Sequence, residues 1–112
     1  MSYKILLTDN FLKELKPLIK KYRGIDKDLS VFRVSLEENP VQGTALGKDC
    51  YKIRMAISAK NKGKSGGARV IMCIKVVYKK VFLVSIFDKG EKENISQQRL
   101  IQMLRDAGLD KL

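Results

Sequence analysis

The spacing of apolar positions divides the chain into a helical first third and a strand-rich remainder. Ile5-Leu6-Leu7 is a short apolar run, followed by Thr8-Asp9-Asn10, residue types that satisfy the free amides at a helix start. From Phe11 to Tyr22, apolar residues fall at 11, 12, 15, 18, 19 and 22, one face of a helix, with lysines at 13, 16, 20 and 21 elsewhere. Pro17 lies inside this stretch and is expected to kink it. Gly24 offers a stop, and Asp26 or Asp28 can open a second helix with the stripe Ile25, Leu29, Phe32 and Leu36. Asn39-Pro40 ends it, because the residue before a proline is pushed out of the helical region.

The period then changes. Tyr51, Ile53, Met55 and Ile57 alternate with Lys52, Arg54, Ala56 and Ser58, a strand with a basic outward face at its start. Residues 59–67 have no apolar period and three glycines, which predicts a loop. Arg69 to Tyr78 is almost continuously apolar and β-branched, as expected of a central strand buried on both faces. Lys79-Lys80 marks a tight turn into the strand Val81–Phe87, so this pair is antiparallel. Asn94 or Ser96 can cap a last helix carrying Leu100, Ile101, Leu104 and Ala107, closed by Gly108. The order predicts an α+β fold over residues 1–112 as a single domain, with an N-terminal helical hairpin on a small, mostly antiparallel sheet and a C-terminal helix.

Composition narrows the partners. Of 112 residues, 45% are hydrophobic and 31% charged, enough for a core and against disorder. Lysine plus arginine number 23 against 12 acidic residues, a net +11, which suits nucleic acid, anionic lipid or an acidic protein. Met1-Ser2-Tyr3-Lys4 leads into no leader-like run and no stretch approaches a membrane span, so a cytoplasmic protein with no membrane partner is expected. Cys50 and Cys73 are too few for a disulfide framework or a zinc site and read as small apolar fillers. Histidine is absent, which removes the commonest metal ligand and general base, and neither metal nor cofactor is expected.

The charge is concentrated. Between Lys48 and Arg69 lie seven basic residues (Lys48, Lys52, Arg54, Lys60, Lys62, Lys64, Arg69) and one acidic residue, Asp49. Lys52 and Arg54 share one face of a strand, the loop delivers Arg69 to its neighbour, and the loop glycines would let backbone amides approach an anion. Arginines embedded in apolar strands, as Arg54 and Arg69 are, call for an anionic partner. Gly63-Lys64-Ser65 is not a nucleotide-hydrolase phosphate loop: Ser58 stands where that motif needs glycine, and a strand follows instead of a helix.

Tyr51-Lys52-Ile53-Arg54-Met55, then Gly63-Lys64-Ser65-Gly66-Gly67-Ala68-Arg69-Val70-Ile71, then the run from Val81 through Asp88-Lys89-Gly90-Glu91-Lys92-Glu93-Asn94-Ile95-Ser96, with Asn39-Pro40 and Gly43 ahead of them, resemble the RelE/ParE superfamily of toxins, most closely its RelE/HigB branch. The resemblance implies a metal-independent endoribonuclease that cuts mRNA, usually in the ribosomal A site. It also implies a cognate antitoxin, through which alone the protein would meet operator DNA. RNA cleavage needs a proton taken from the 2′-hydroxyl, charge stabilised on the phosphorane and a proton given to the 5′-oxygen. Crowding like charges lets one lysine of such a cluster act as base, while arginine holds the phosphate. On this reading Lys52 lies near the attacking hydroxyl, Arg54 and Arg69 on the scissile phosphate, and Lys89 serves as phosphate clamp or acid. Lys60, Lys62, Lys64 and Lys92 track the RNA backbone. Arg69→Ala is expected to remove toxicity while leaving the fold intact.

The chain departs from the ribosome-dependent pattern at Gly90 and Ser96, where some members carry arginine and tyrosine, and at Phe87, where many carry tyrosine. Either lysines take over proton transfer or catalysis is slow. Two rivals remain: a ParE-like inhibitor of DNA gyrase on the same fold, and a nucleic-acid-binding module without catalysis. The second would show exposed aromatics for stacking, whereas the aromatics here fall mostly at core-periodic positions.

Overall fold

The computed structural model describes residues 3–112; Met1 and Ser2, where the stretch read for a leader begins, lie outside the described residues. A short strand, β1 (Lys4–Leu7), leads to Thr8, whose side chain accepts from the Phe11 amide and starts α1 (Asp9–Lys21). Phe11, Leu15 and Leu18 of the apolar stripe are buried. The helix runs through Pro17 without a break, since Pro17 lies on the exposed side, where water can take the carbonyl freed by the missing N–H. Gly24, left-handed at φ 85°, turns the chain into α2 (Ile25–Glu38). All four residues of its predicted stripe are buried, and the helix stops before Asn39-Pro40. The expected acidic cap is corrected: Gly24 is the cap without a side-chain bond, and Asp28 instead holds Ser58, 30 residues away.

The sheet has five strands in the order β1-β5-β4-β3-β2, with β2 (Thr44–Gly47), β3 (Cys50–Met55), β4 (Ala68–Lys75) and β5 (Lys80–Asp88) successively antiparallel and β1 parallel to β5. Three features differ from the expected pattern. β2 adds a fourth antiparallel strand ahead of β3. β4 ends at Lys75, and Val76–Tyr78 forms an exposed turn whose last step is Lys79 at φ 53°. The closing helix, α3 (Gln97–Asp106), is capped by the Ser96 side chain and buries Leu100, Met103 and Leu104, with Ala107 exposed.

Helices cover both faces of the sheet. The hairpin of α1 and α2 packs Phe11, Leu15, Leu29, Phe32 and Leu36 against Ile53, Val70, Met72, Val81 and Leu83. On the other face α3 packs Leu100, Met103 and Leu104 against Cys50, Ile71, Cys73 and Val84. Double coverage explains why β4 shows no alternation. Each fully buried large aliphatic or aromatic side chain contributes about 1.5–3 kcal/mol. Cys50 and Cys73 face each other across β3 and β4, both buried and unlinked. Two glycines bring backbone against backbone. A Cβ on Gly43 would lie 2.2 Å from the Lys52 carbonyl oxygen, and one on Gly67 would lie 2.1 Å from that of Met55. Gly67 thus admits the neighbouring strand, not the anion expected of the loop glycines.

Candidate functional site

β3 and β4 pair Lys52 with Ile71 and Arg54 with Arg69, so Lys52, Arg54 and Arg69 project from one face. Lys64, on the loop between the strands, joins them around an open depression of about 390 Å³ that Gln42, Thr44 and Glu93 also line. Arg54 and Lys64 are exposed, and their side chains make no hydrogen bond or ion pair among the described residues. They are the two free cations of the depression.

Arg69 is placed differently from the expectation. Only 1% exposed, its guanidinium donates from Nε to Glu93 Oε1 (3.2 Å), from Nη1 to the carbonyls of Lys64 (3.2 Å) and Ala68 (3.1 Å), and from Nη2 to that of Ser65 (2.9 Å). It braces the loop that carries Lys64, because a buried guanidinium must find acceptors for its donors. Removing it would therefore disturb the fold, contrary to the expectation for Arg69→Ala. Lys52 donates from Nζ to the Glu93 carbonyl (3.3 Å) and to the Asn94 side-chain oxygen. The 93–94 segment thus lies over two of the site's cations. Burial pushes the Glu93 carboxyl up, but the Arg69 hydrogen bond and the charges of Arg69, Lys52 and Lys89 outweigh it and hold the group below its ordinary value.

The other basic residues divide. Lys89 lies close enough to act on Glu93, and its amide donates to the Gly67 carbonyl (3.0 Å), which fixes it beside the loop. Lys92 places Nζ 4.9 Å from the centre of the Phe87 ring, opposite Arg69 on β5. Lys62 and Lys64 are exposed on the loop. Lys60, expected to track RNA, points elsewhere: 12% exposed, it donates to Asp88 Oδ1 at 2.6 Å, on the α1 side of the sheet. Asp88 also accepts from the Tyr22 hydroxyl and the Gly90 amide (2.9 Å), with Lys21 3.7 Å away. Burial pushes this carboxyl up, but the bonds from Lys60, Tyr22 and Gly90 and the Lys60 charge bring it down to about 2. Among the described residues no group of three His, Cys, Asp or Glu converges to hold a metal ion.

Sequence reasoning missed Glu93, Asn94, Gln42 and Thr44 as site residues. Glu93 carried only a weak signal, since it alternates with Glu91 and Lys92 in the charged run after Lys89. Gln42 and Thr44 came with the unseen strand β2.

The family model described as the RelE toxin of the RelE/RelB toxin-antitoxin system matches residues 4–109. A doubly arginine-substituted form of the E. coli RelE toxin in the free state superposes with a TM-score of 0.59 at 19% identity, over 100% of both chains. The isolated E. coli RelE toxin gives 0.59 at 21% identity, over 94% of this chain and 99% of that one. A chain of the intact E. coli RelBE toxin-antitoxin complex gives 0.59 at 22% identity, over 83% of this chain and 100% of that one. These likenesses show a common fold, and the family match over nearly the whole length shows that the chain belongs to the RelE toxin family.

Proposed function

We infer that this chain is the toxin of a type II toxin-antitoxin pair, in the RelE/HigB branch, and an endoribonuclease that cleaves mRNA on the ribosome. The observation that carries the reading is the convergence of Lys52, Arg54, Lys64 and Arg69 on one open depression in which Arg54 and Lys64 have no partner among the described residues. A phosphodiester fits that demand, since two cations left unpaired at a concave surface favour a doubly contacted anion. Arg54 holds the non-bridging oxygens of the scissile phosphate, with Lys64 beside it, and the pair stabilises charge as it develops on the phosphorane. Arg69 is a positioning residue that sets the loop bearing Lys64.

For the phosphate to seat deeply, RNA takes over the donors now held by Glu93 and Asn94. Lys52 is thereby released toward the 2′-hydroxyl. Lys89, next to Glu93, is placed to meet the departing 5′-oxygen. Lys62 and Lys92 contact neighbouring phosphates, whereas Lys60 serves Asp88 and is left out of the docking set. The antitoxin is the natural cover for this surface, and acidic residues over its binding segment would match the net +11.

Arg54→Ala tests the core of this reading. It is expected to slow cleavage by roughly 10²-fold, while unfolding free energy stays within about 0.5 kcal/mol of the parent. Cleavage assays on a labelled message and urea melts read the two quantities, and undiminished cleavage would remove Arg54 from the site. Glu93→Gln removes the carboxylate that competes with phosphate. RNA should then bind a few-fold tighter with a steeper salt dependence, measured by fluorescence anisotropy at several ionic strengths; unchanged affinity would mean that Glu93 does not contest the site.

A further inference from the structure

A second pocket, of about 280 Å³, adjoins the cationic depression and shares Gln42, Arg54 and Lys64 with it. It forms beside the first residue of β2, Thr44, which pairs with Lys52, where β3 runs on past its partner strand. Its walls are apolar, made by Val31 and Phe32 of α2 and by Met55 and Ala56. Besides the shared cations Arg54 and Lys64 at its border with the depression, its polar groups are Asp28 and Gln42, with Ser35 and Ser58 beside them. The volume is at the low end of the roughly 300–1,000 Å³ typical of small-molecule sites and suits one planar group, not a chain segment.

The polar groups are pre-oriented, and both offer acceptors. Asp28 is fixed by the Ser58 amide on Oδ2 (2.9 Å) and the Ser58 hydroxyl on Oδ1 (2.5 Å). Each oxygen keeps a further lone pair, because a carboxylate can accept about four hydrogen bonds. Gln42 spends Nε2 on the Ser35 carbonyl (3.2 Å), the Ser35 hydroxyl (3.0 Å) and the Asn39 carbonyl (2.6 Å). Those carbonyls dictate which end of the amide is nitrogen, and Oε1 has no partner among the described residues.

We propose that this pocket receives the nucleobase next to the phosphate held by Arg54 and Lys64, and that its fixed acceptors select a base with N–H donors on its edge, guanine above all. The proposal rests on the ribonuclease reading and deepens it. A phosphate on the shared cations delivers the adjoining base to the pocket, apolar walls take its faces, and acceptor groups meet its Watson–Crick edge. Guanine presents two adjacent donors to a carboxylate, cytosine and adenine one amino group each, and uracil only a single ring N–H.

The test uses the full chain and short 2′-O-methyl oligonucleotides, which bind without being cut. Each is a uridine background carrying one guanine, adenine or cytosine. The expected result is at least about tenfold tighter binding of the guanine oligomer than of all-uridine. Asp28→Asn turns one acceptor into a donor and is expected to shift preference toward adenine. Val31→Trp, at a position 73% exposed, fills the pocket mouth while keeping the Asp28 carboxylate in the sequence, and should bring guanine down to the uridine level, with background binding kept. Equal affinity of the native chain for all four oligomers overturns the pocket proposal and leaves the ribonuclease reading standing. So does an Asp28→Asn variant that loses stability yet keeps the guanine preference, which would make Asp28 only a brace for Ser58. No binding of any oligomer, together with no cleavage of RNA, overturns both.

Discussion

Arg69→Ala is expected to lose cleavage altogether and to lose about 3 kcal/mol of stability with it, a size set by hydrogen bonds from a buried charged donor. The side chain is 1% exposed and donates four hydrogen bonds, three of them to backbone carbonyls at 64, 65 and 68. Alanine leaves those carbonyls to find water and removes the hydrogen bond that holds Glu93 in place. The loop carrying Lys64 then has no anchor, so activity falls through position and not through lost contact with RNA. Arg69→Lys keeps the charge but cannot reach four acceptors in a planar fork, and should recover less than half of the lost stability. Urea melts of the three proteins check this. A fully stable but inactive Arg69→Ala protein would instead return Arg69 to direct contact with the phosphate.

Asp88→Asn is expected to cost about 3 kcal/mol at neutral pH, because it strands the Lys60 ammonium, 12% exposed, without its partner. The same carboxylate predicts how the native protein responds to acid. Its value in the fold is about 2, against an ordinary 3.8. A group depressed by folding contributes stability that is complete above the unfolded value and is lost as pH falls toward the folded one. The native chain should therefore shed about 1–2 kcal/mol between pH of about 5 and 2 from this site, with screening by solvent near Lys21 and Glu91 allowed for. In Asp88→Asn that part of the pH dependence should vanish. Lys60→Met should behave likewise in acid while leaving the salt slope of RNA binding unchanged, which separates a structural lysine from a docking one. Melts at a series of pH values decide the matter, and equal acid sensitivity in Asp88→Asn would show that the network is not the source.

Much of the scaffold was legible because local pattern and packing agree. The stripe Ile25, Leu29, Phe32 and Leu36 is buried in full, and the unbroken apolar run of β4 does lie in the middle of a doubly covered sheet. Thr8 and Ser96 both cap helices through their side chains. β2 was not legible. Its four residues are mostly exposed, and its hairpin turns through Lys48 and Asp49 at φ 54° and 63°, conformations normally announced by asparagine or glycine. The end of β4 was hidden because Val76 and Val77 are β-branched yet stand 62% and 89% exposed in a turn, against what their type suggests.

In the site, the strand alternation that put Lys52, Arg54 and Arg69 on one face was readable. Which cations are already spent was not. Lys60 meets Asp88 across 28 positions and Arg69 meets Glu93 across 24, and pairings that distant leave no periodic trace. The glycine run of the loop could be read either as a cradle for an anion or as room for a neighbouring strand. The approach of Gly67 to Met55 decides for the strand at that one position.

Whether the free cations of the depression cut RNA is read most directly by incubating the purified chain with a defined message, naked and on translating ribosomes, with 5′ ends mapped by primer extension. New ends are expected within codons on the ribosome-bound message, forming roughly 10²-fold more slowly with Arg54→Ala. Intact message in both arms, with double-strand DNA breaks accumulating in cells that express the chain, would contradict RNA cleavage and point to gyrase.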